Sequence, residues 1–491
     1  FDAWTKLFGR GEFDYWHASR VIGAGDTINE FPFFTFFHAD LHPHLLAFPF
    51  FLAAFALADR WIEAGRSAAP DLSAAALVRR AGAFLLVALV AGTAIAANLW
   101  NTPAIAILLI FAGTARTTRG EGLPSPGAGF TGALTGAAAF VAALVLTYPY
   151  RASFALPYNG IAKTRATSGL LEFLGVWGIL FAVAAAGLVA LAAVEGEDRR
   201  RGRDLFLAVA GALSVGLALQ SRAAALAPIL FLALLAARAA WQYLREKDRP
   251  GLNAVFLCLL ALAIIAGCEI VHFKDSYGDK LHRMNTIFKF YIQAWPLLGI
   301  GAAALAARAW DRTASRRRPL AVMLALAAGA ALLYPMAATL TRLSQKDGSF
   351  SLDARRPLGR RNAGDLAAIE WLEKNAPSDA VVLEATGDPY SEFARISSHS
   401  GVPTVLGWAN HEGLWRDRDP EVQERVQQVR LFYTSGDPTL ARGILRRYGV
   451  THVVVGDLER RTYAASATGS LPFLERVHDG GTLVYRVVDS R

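Results

Sequence analysis

The sequence predicts an all-α polytopic integral membrane domain of about ten transmembrane helices, followed by a small extracytoplasmic α/β domain. Three observations carry this. Hydrophobic residues make up 54% of the 491 positions and mean hydropathy is +0.31, while charged residues make up only 19%. A soluble domain carries about a quarter charged residues. The charges come in bursts between apolar stretches of roughly 16 to 24 residues, the length a helix needs to cross a bilayer. After residue 341 the pattern changes to amphipathic segments with helix caps and short β-branched runs.

The apolar stretches fall near 43–60, 81–98, 102–115, 128–148, 170–194, 205–220, 223–241, 252–271, 287–307 and 319–340. The third is short enough to be re-entrant, which would flip everything after it, so the connectors provide a test. With the first span running inward, 59–80, 115–126, 195–204, 242–251 and 308–318 are inside and hold about twice the Lys and Arg of the outside connectors. The net charge of +9 is therefore a topology signal, and nucleic acid is not an expected partner. The outside connectors, 97–102, 147–169, 219–222 and 269–289, are rich in Tyr, Asn, His, Lys and Asp, the residues of a site. Cys258 and Cys268 share one span, roughly 15 Å apart along a helix, and cannot bridge.

Residues 1–341 are thus read as the membrane domain, 342–361 as a charged linker, and 362–491 as a soluble extracytoplasmic domain. In that last part, 362–377 has the period of a helix. "DPEVQERVQQVRLFYT" (419–434) and "DPTLARGILRRYG" (437–449) open with an Asp cap and Pro in the first turn. "DAVVLEA" (379–385), "VTHVVVGD" (450–457) and "TLVYRVV" (482–488) read as strands. The chain opens at Phe1 without an initiator Met, and we expect it to be the C-terminal part of a longer protein or a processed product.

The blocks "FDYWHASRVIGAGDTINEFPFFTFFHADLHPHLLAFPF" (13–50), "HRMNTIFKFYIQAW" (282–295) and "SGVPTVLGWANHEGLWR" (400–416) resemble the bacterial and archaeal "YYY" (DUF2298-type) polytopic membrane protein family. The layout of that family resembles the GT-C class of membrane glycosyltransferases. Those are multi-span proteins with catalytic outer loops that take sugars from polyprenyl-phosphate donors. One departure is that the family's Tyr-Tyr-Tyr block is not found in this chain. GT-C enzymes carry a catalytic acid in the first outer loop, and the resemblance implies that this acid lies in the expected N-terminal part.

Asp40, His42 and His44 follow an i, i+2, i+4 spacing. In extended backbone these side chains share one face. Pro43 suits the first turn of the next helix, whose N-terminus favours anions. The trio is our catalytic candidate, with Asp40 or a histidine as general base, and it is also a candidate set of ligands for a divalent metal ion. The competing reading is an interfacial histidine belt with Asp40 as a cap. Lys274, Arg283 and Lys289 lie in a basic outer segment that suits a pyrophosphate or polyprenyl-phosphate head group, against simple snorkelling. Arg151, Tyr158 and Asn159 suit sugar recognition or an ordinary aromatic belt. Arg222 is a lone cation in a short outer turn. Trp408, His411 and Glu412 suit a saccharide or the roof of a site, against a structural aromatic cluster. No phosphate-binding glycine loop, CxxC, HExxH or GxSxG occurs.

The leading expectation is a GT-C-like glycosyltransferase of the cell membrane. Its partners would be membrane lipids and a polyprenyl-phosphate-linked sugar, with catalysis on the extracytoplasmic face. The alternatives are a transporter or flippase for a lipid-linked anion, which predicts charges at mid-membrane, and a non-enzymatic scaffold with an outer binding domain.

Overall fold

The computed structural model describes residues 13–66, 73–117, 124–152, 160–165, 167–192, 200–219, 224–275, 277–278, 281–344, 352–353, 355–415 and 420–488. Contacts cluster into two units, one helical and reaching Lys346, the other formed by Asp347–Arg491.

The helical unit opens with two 3₁₀ turns and α1 (Pro32–His38). Long helices follow: α2 (Pro43–Arg66), α3 (Ala74–Ala97), α4 (Thr102–Arg116), α5 (Pro126–Leu146), α6 (Leu170–Ala192), α7 (Arg200–Ala218), α8 (Leu226–Glu246), α9 (Arg249–Ile270), α10 (Met284–Arg312) and α11 (Arg317–Ser344). Among the described residues, nine helices are long and apolar enough to cross a membrane. The expected span at 205–220 is the exception. It is α7, whose apolar part, Asp204–Leu217, is too short to be counted with the others.

Strand pairing and a short turn fix which helix ends lie together. Two short strands, β1 (Ile161–Lys163) and β2 (Val271–Phe273), pair antiparallel, so the start of α6 and the end of α9 lie at one end. A two-residue turn separates α8 from α9, so α8 starts at that same end. The opposite end of the bundle, where α8 turns into α9, is the far end, and α7 packs on α8.

Small residues allow the close crossings. Gly113 on α4 faces Gly132 and Gly136 on α5 so closely that a Cβ would collide with backbone. At the α9–α10 contact, a Cβ on Gly301 would sit 2.6 Å from Cys258 Sγ. Both cysteines are buried and unbridged. At the far end the arginines do more than anchor: Arg308 and Arg312 hold Asp248, and Arg312 also holds Glu246 at 2.7 Å.

The second unit has a four-stranded sheet in the order β3 (Val382–Leu383), β4 (His452–Val455), β6 (Leu483–Val487), β5 (Leu474–Asp479). Only β3–β4 is parallel. Around it lie α12 (Ala363–Asn375), α13 (Arg395–Ser400), α14 (Ala409–Trp415), α15 (Pro420–Thr434), α16 (Pro438–Arg447) and α17 (Asp457–Tyr463). Asp437 caps α16 by accepting from Thr439 N at 2.8 Å, as the Asp-Pro pattern predicts. The strand missed in the sequence is β5, whose alternating residues are mostly exposed or half-buried. Buried Arg395 ties the unit together by pairing with Asp365 at 2.6 Å and Glu459 at 3.0 Å. Burial pushes its guanidinium down, but these carboxylates outweigh that and hold it well above the ordinary value.

Candidate functional site

Four segments meet at the end of the helical unit that holds β1 and β2. The turn after α3 enters through Trp100, whose ring packs edge-on to Phe273 at 4.9 Å and whose carbonyl accepts from Gln293 at 3.0 Å. The segment before α6 enters through Ser168. The β2–α10 segment and the stretch leading into α2 complete the set. The N-terminal stretch is tied in by Gly23 N donating to Glu172 at 3.1 Å and by Tyr334 OH donating to the Tyr15 carbonyl at 2.8 Å.

The aromatic run 31–38 is helical because Pro32 sits at its first turn. It stops at Ala39, whose φ of +58 is left-handed. The expected extended backbone across 40–44 is therefore a turn after α1 running into the first residues of α2. This changes where the trio points. His42 Nδ1 lies 2.6 Å from Asp40 Oδ2 at the half-exposed lip. His44 is buried and turns the other way, with Nε2 3.1 Å from Glu30 Oε2. Thr35 Oγ1 also donates to Glu30 Oε2, at 3.0 Å. Glu30 was not among the expected site residues. Its signal was a carboxylate placed directly before the aromatic run, where burial is costly without a partner.

The two imidazoles stay close, with ring centres 5.2 Å apart, and both lie edge-on to Phe288, at 5.6 Å and 4.7 Å. Lys289 is buried beside them, its Nζ 3.9 Å from the Phe288 ring centre. Among the described residues no carboxylate lies within ion-pair distance of this ammonium. His44 Nδ1 is buried without a hydrogen-bond partner. The cluster is thus two carboxylate–imidazole pairs, a cation and an unused imidazole nitrogen, packed around one ring.

Burial pushes the Glu30 carboxyl up, but the hydrogen bond and charge of His44 and the Thr35 hydroxyl outweigh it and hold the group below the usual range. Burial and the Lys289 charge pull His42 below its ordinary value, against Asp40 and Glu30. At neutral pH this leaves a carboxylate at Glu30 and a neutral imidazole at His42. With Nδ1–H given to Asp40, His42 Nε2 carries the free lone pair.

The trio is divided as a metal set, because His44 turns to Glu30. Among the described residues, no three His, Cys, Asp or Glu side chains come together to hold a metal ion.

The other expected residues land as follows. Arg283, expected to hold a phosphate, is buried in an ion pair with Glu269 at 2.7 Å. That carboxylate also takes Ser168 N at 2.8 Å, Ser168 Oγ at 2.7 Å and Tyr291 OH at 3.3 Å. Arg283 is thus a strut joining α9 to α10. Lys274 is exposed just beyond β2. Arg151 donates to the carbonyl of Leu144 at 2.5 Å and so closes the end of α5 instead of facing a sugar. Tyr158, Asn159 and Arg222 lie outside the described residues. In the second unit, Trp408 donates to the Phe393 carbonyl at 2.8 Å, Glu412 accepts from Gly407 N at 3.1 Å, and His411 packs between Tyr390 and Trp408. These contacts suit a self-stabilised loop.

No curated protein matches the chain. Among solved structures it is similar to the archaeal oligosaccharyltransferase AglB from Archaeoglobus fulgidus in complex with an inhibitory peptide and a dolichol-phosphate, at 12% identity and a TM-score of 0.32. It is similar by the same measures to the oligosaccharyltransferase of that organism in complex with Zn and sulfate. The matches cover 91% and 96% of this chain but only 57% and 59% of those chains. The family model described as "Uncharacterized membrane protein (DUF2298)" matches residues 1–298, and the chain belongs to that family of membrane proteins.

Proposed function

We propose that the chain is a GT-C-like membrane glycosyltransferase that takes a sugar from a polyprenyl-phosphate donor at the extracytoplasmic face of the cell membrane. One observation carries the reading: Asp40–His42 and Glu30–His44 packed with Lys289 around Phe288. A lipid-phosphate donor needs a cation where the phosphate leaves and a base where the acceptor hydroxyl attacks. Lys289 supplies the first. Its ammonium has no carboxylate at ion-pair distance among the described residues, so a phosphate would be its first close counter-ion. His42 supplies the second, with Asp40 fixing its tautomer.

In the step, the acceptor oxygen bonds to the anomeric carbon as the bond from that carbon to the phosphate oxygen breaks. The hydroxyl proton goes to His42 Nε2. The bond electrons leave with the lipid phosphate, facing Lys289. Glu30 and His44 form the layer behind, where the Glu30 charge balances a proton held on the imidazoles. No step passes through a metal ion. The positive-inside count supports the outward reading of this end of the bundle and, separately, the extracytoplasmic reading of the C-terminal unit.

The test is donor turnover in proteoliposomes loaded with a polyprenyl-phosphate-linked radiolabelled sugar. Replacing His42 with Ala should slow turnover about 100- to 10,000-fold while the protein remains folded. Wild-type turnover by both His42→Ala and Lys289→Ala would remove this cluster from the chemistry, and no donor turnover by the wild-type protein would remove the enzymatic reading and leave the scaffold.

A further inference from the structure

We propose that the C-terminal unit binds a small anionic sugar, a glycosyl ligand bearing a phosphate or a carboxylate, in a cavity between α12, α16, the start of β4 and the end of β6. The inference is independent of the reading of the helical unit. The cavity has a volume of about 770 Å³, within the range of ligand pockets, about 300–1,000 Å³. It is built from elements of this unit alone.

Its lining is one-sided in charge. Arg442, Arg446 and Arg486 line it together with His452, Asn375 and Trp371, and no Asp or Glu is among the lining residues. Arg442 and Arg446, with Arg486 bridged to Glu475 beside them, bring guanidinium forks into one concavity, and such planar forks match carboxylate and phosphate oxygens. The positions are set by structure. Arg442 is laid over the Phe473 ring at 4.9 Å. Arg446 lies in the last turn of α16. Arg486 is held by Glu475 at 2.6 Å across the β5–β6 pair. Buried His452 is anchored by Thr451 Oγ1, 2.9 Å from its Nδ1.

The opposite wall decides what the anion is attached to. Trp371 offers a broad indole toward the end of α12, tilted against His478 at 6.1 Å and edge-on to His452 at 6.0 Å. An aromatic face beside hydrogen-bonding Asn375 suits a pyranose, whose C–H face is apolar and whose rim is hydroxyl. A bare inorganic ion would leave that wall unused.

The experiment is calorimetric titration of the full chain in detergent micelles with glucose 1-phosphate, glucuronate, glucose and inorganic phosphate. At least one of the two anionic sugars should bind with a Kd below about 1 mM, more weakly as salt rises. Glucose and phosphate should each bind at least roughly tenfold more weakly. The exposed variant Arg446→Glu should weaken the anionic sugar by about tenfold or more, and Arg486→Glu likewise. Arg430→Glu, the same charge change outside the cavity, should bind as wild type. The proposal is overturned by no binding of either anionic sugar, by equal binding of glucose or phosphate, or by wild-type affinity in both cavity variants with their folds retained.

Discussion

His44 Nε2 sits 3.1 Å from the Glu30 carboxylate, joining the start of α2 to the residue that leads into α1. The pair closes the back of the cluster, and each partner is buried only because the other is there. Replacing Glu30 with Ala strands the imidazole, a desolvation cost of about 1–3 kcal/mol. Thermal unfolding in detergent should move down accordingly, and donor turnover should fall with it. The isosteric Glu30→Gln should recover most of the melting temperature and little of the turnover, because it keeps the hydrogen bond and removes the charge. Equal loss of both in the two variants would reduce Glu30 to a packing group.

Lys289 makes the opposite prediction for stability. A buried ammonium without a close counter-ion costs free energy, which an apolar side chain of similar length avoids. Lys289→Met should melt at or above the wild-type temperature while the donor KM rises at least roughly tenfold. A variant that unfolds with unchanged KM would make the lysine structural.

The acidic limb of the pH–rate profile follows His42. Folded, its value is held below the ordinary 6.5, chiefly by burial and then by Lys289. The unfolded chain therefore takes up the proton first. Stability is level above about pH 6.5 and declines as pH falls from there toward the depressed folded value. Turnover should be lost over that lower range, since only neutral His42 accepts a proton. Asp40 raises the His42 value and Lys289 lowers it. Asp40→Asn should thus move the limb to lower pH and Lys289→Met to higher pH. A limb that ignores both substitutions would place the base elsewhere.

Glu269 and Arg283 should behave as a strut. Glu269→Ala leaves a buried guanidinium without its carboxylate and should cost about 3–5 kcal/mol. The double change Glu269→Leu with Arg283→Met should lose much less. Donor KM in that double variant, measured below its melting temperature, should match wild type. A large rise in KM would return Arg283 to the phosphate.

Sidedness can be read with introduced thiols, since Cys258 and Cys268 are buried. Cysteines placed at exposed Lys274 and at Leu440 should both react with a membrane-impermeant maleimide added to intact cells. Protection of either until the membrane is opened would contradict the outward placement.

The parts legible in the sequence were those set by local pattern. Apolar length revealed the bundle, the Asp-Pro pair the start of α16, and β-branched runs three strands of the sheet. Asp40, His42, His44 and Lys289 could be picked out because titratable groups beside apolar runs are costly. Their partners were not legible. Glu30 reaches His44 only because Ala39 reverses the chain in a left-handed turn, and nothing in the local spacing signals that turn. The pairing of Arg283 was not legible for the same reason: Glu269, fourteen residues upstream at the end of α9, becomes its neighbour only when α9 packs on α10. At 205–220 a tenth span was expected from composition, and there α7 carries only the shorter apolar part Asp204–Leu217.

Phe288, against which both imidazoles rest, belongs to α10 and follows them by more than two hundred residues. During synthesis, then, Glu30, Asp40 and both histidines must enter the bilayer long before the ring and the lysine that complete their surroundings exist. A nascent chain halted before α10 carries an exposed acid–imidazole group with no lid. The cluster is assembled late, and only a chain that has completed α10 can close it.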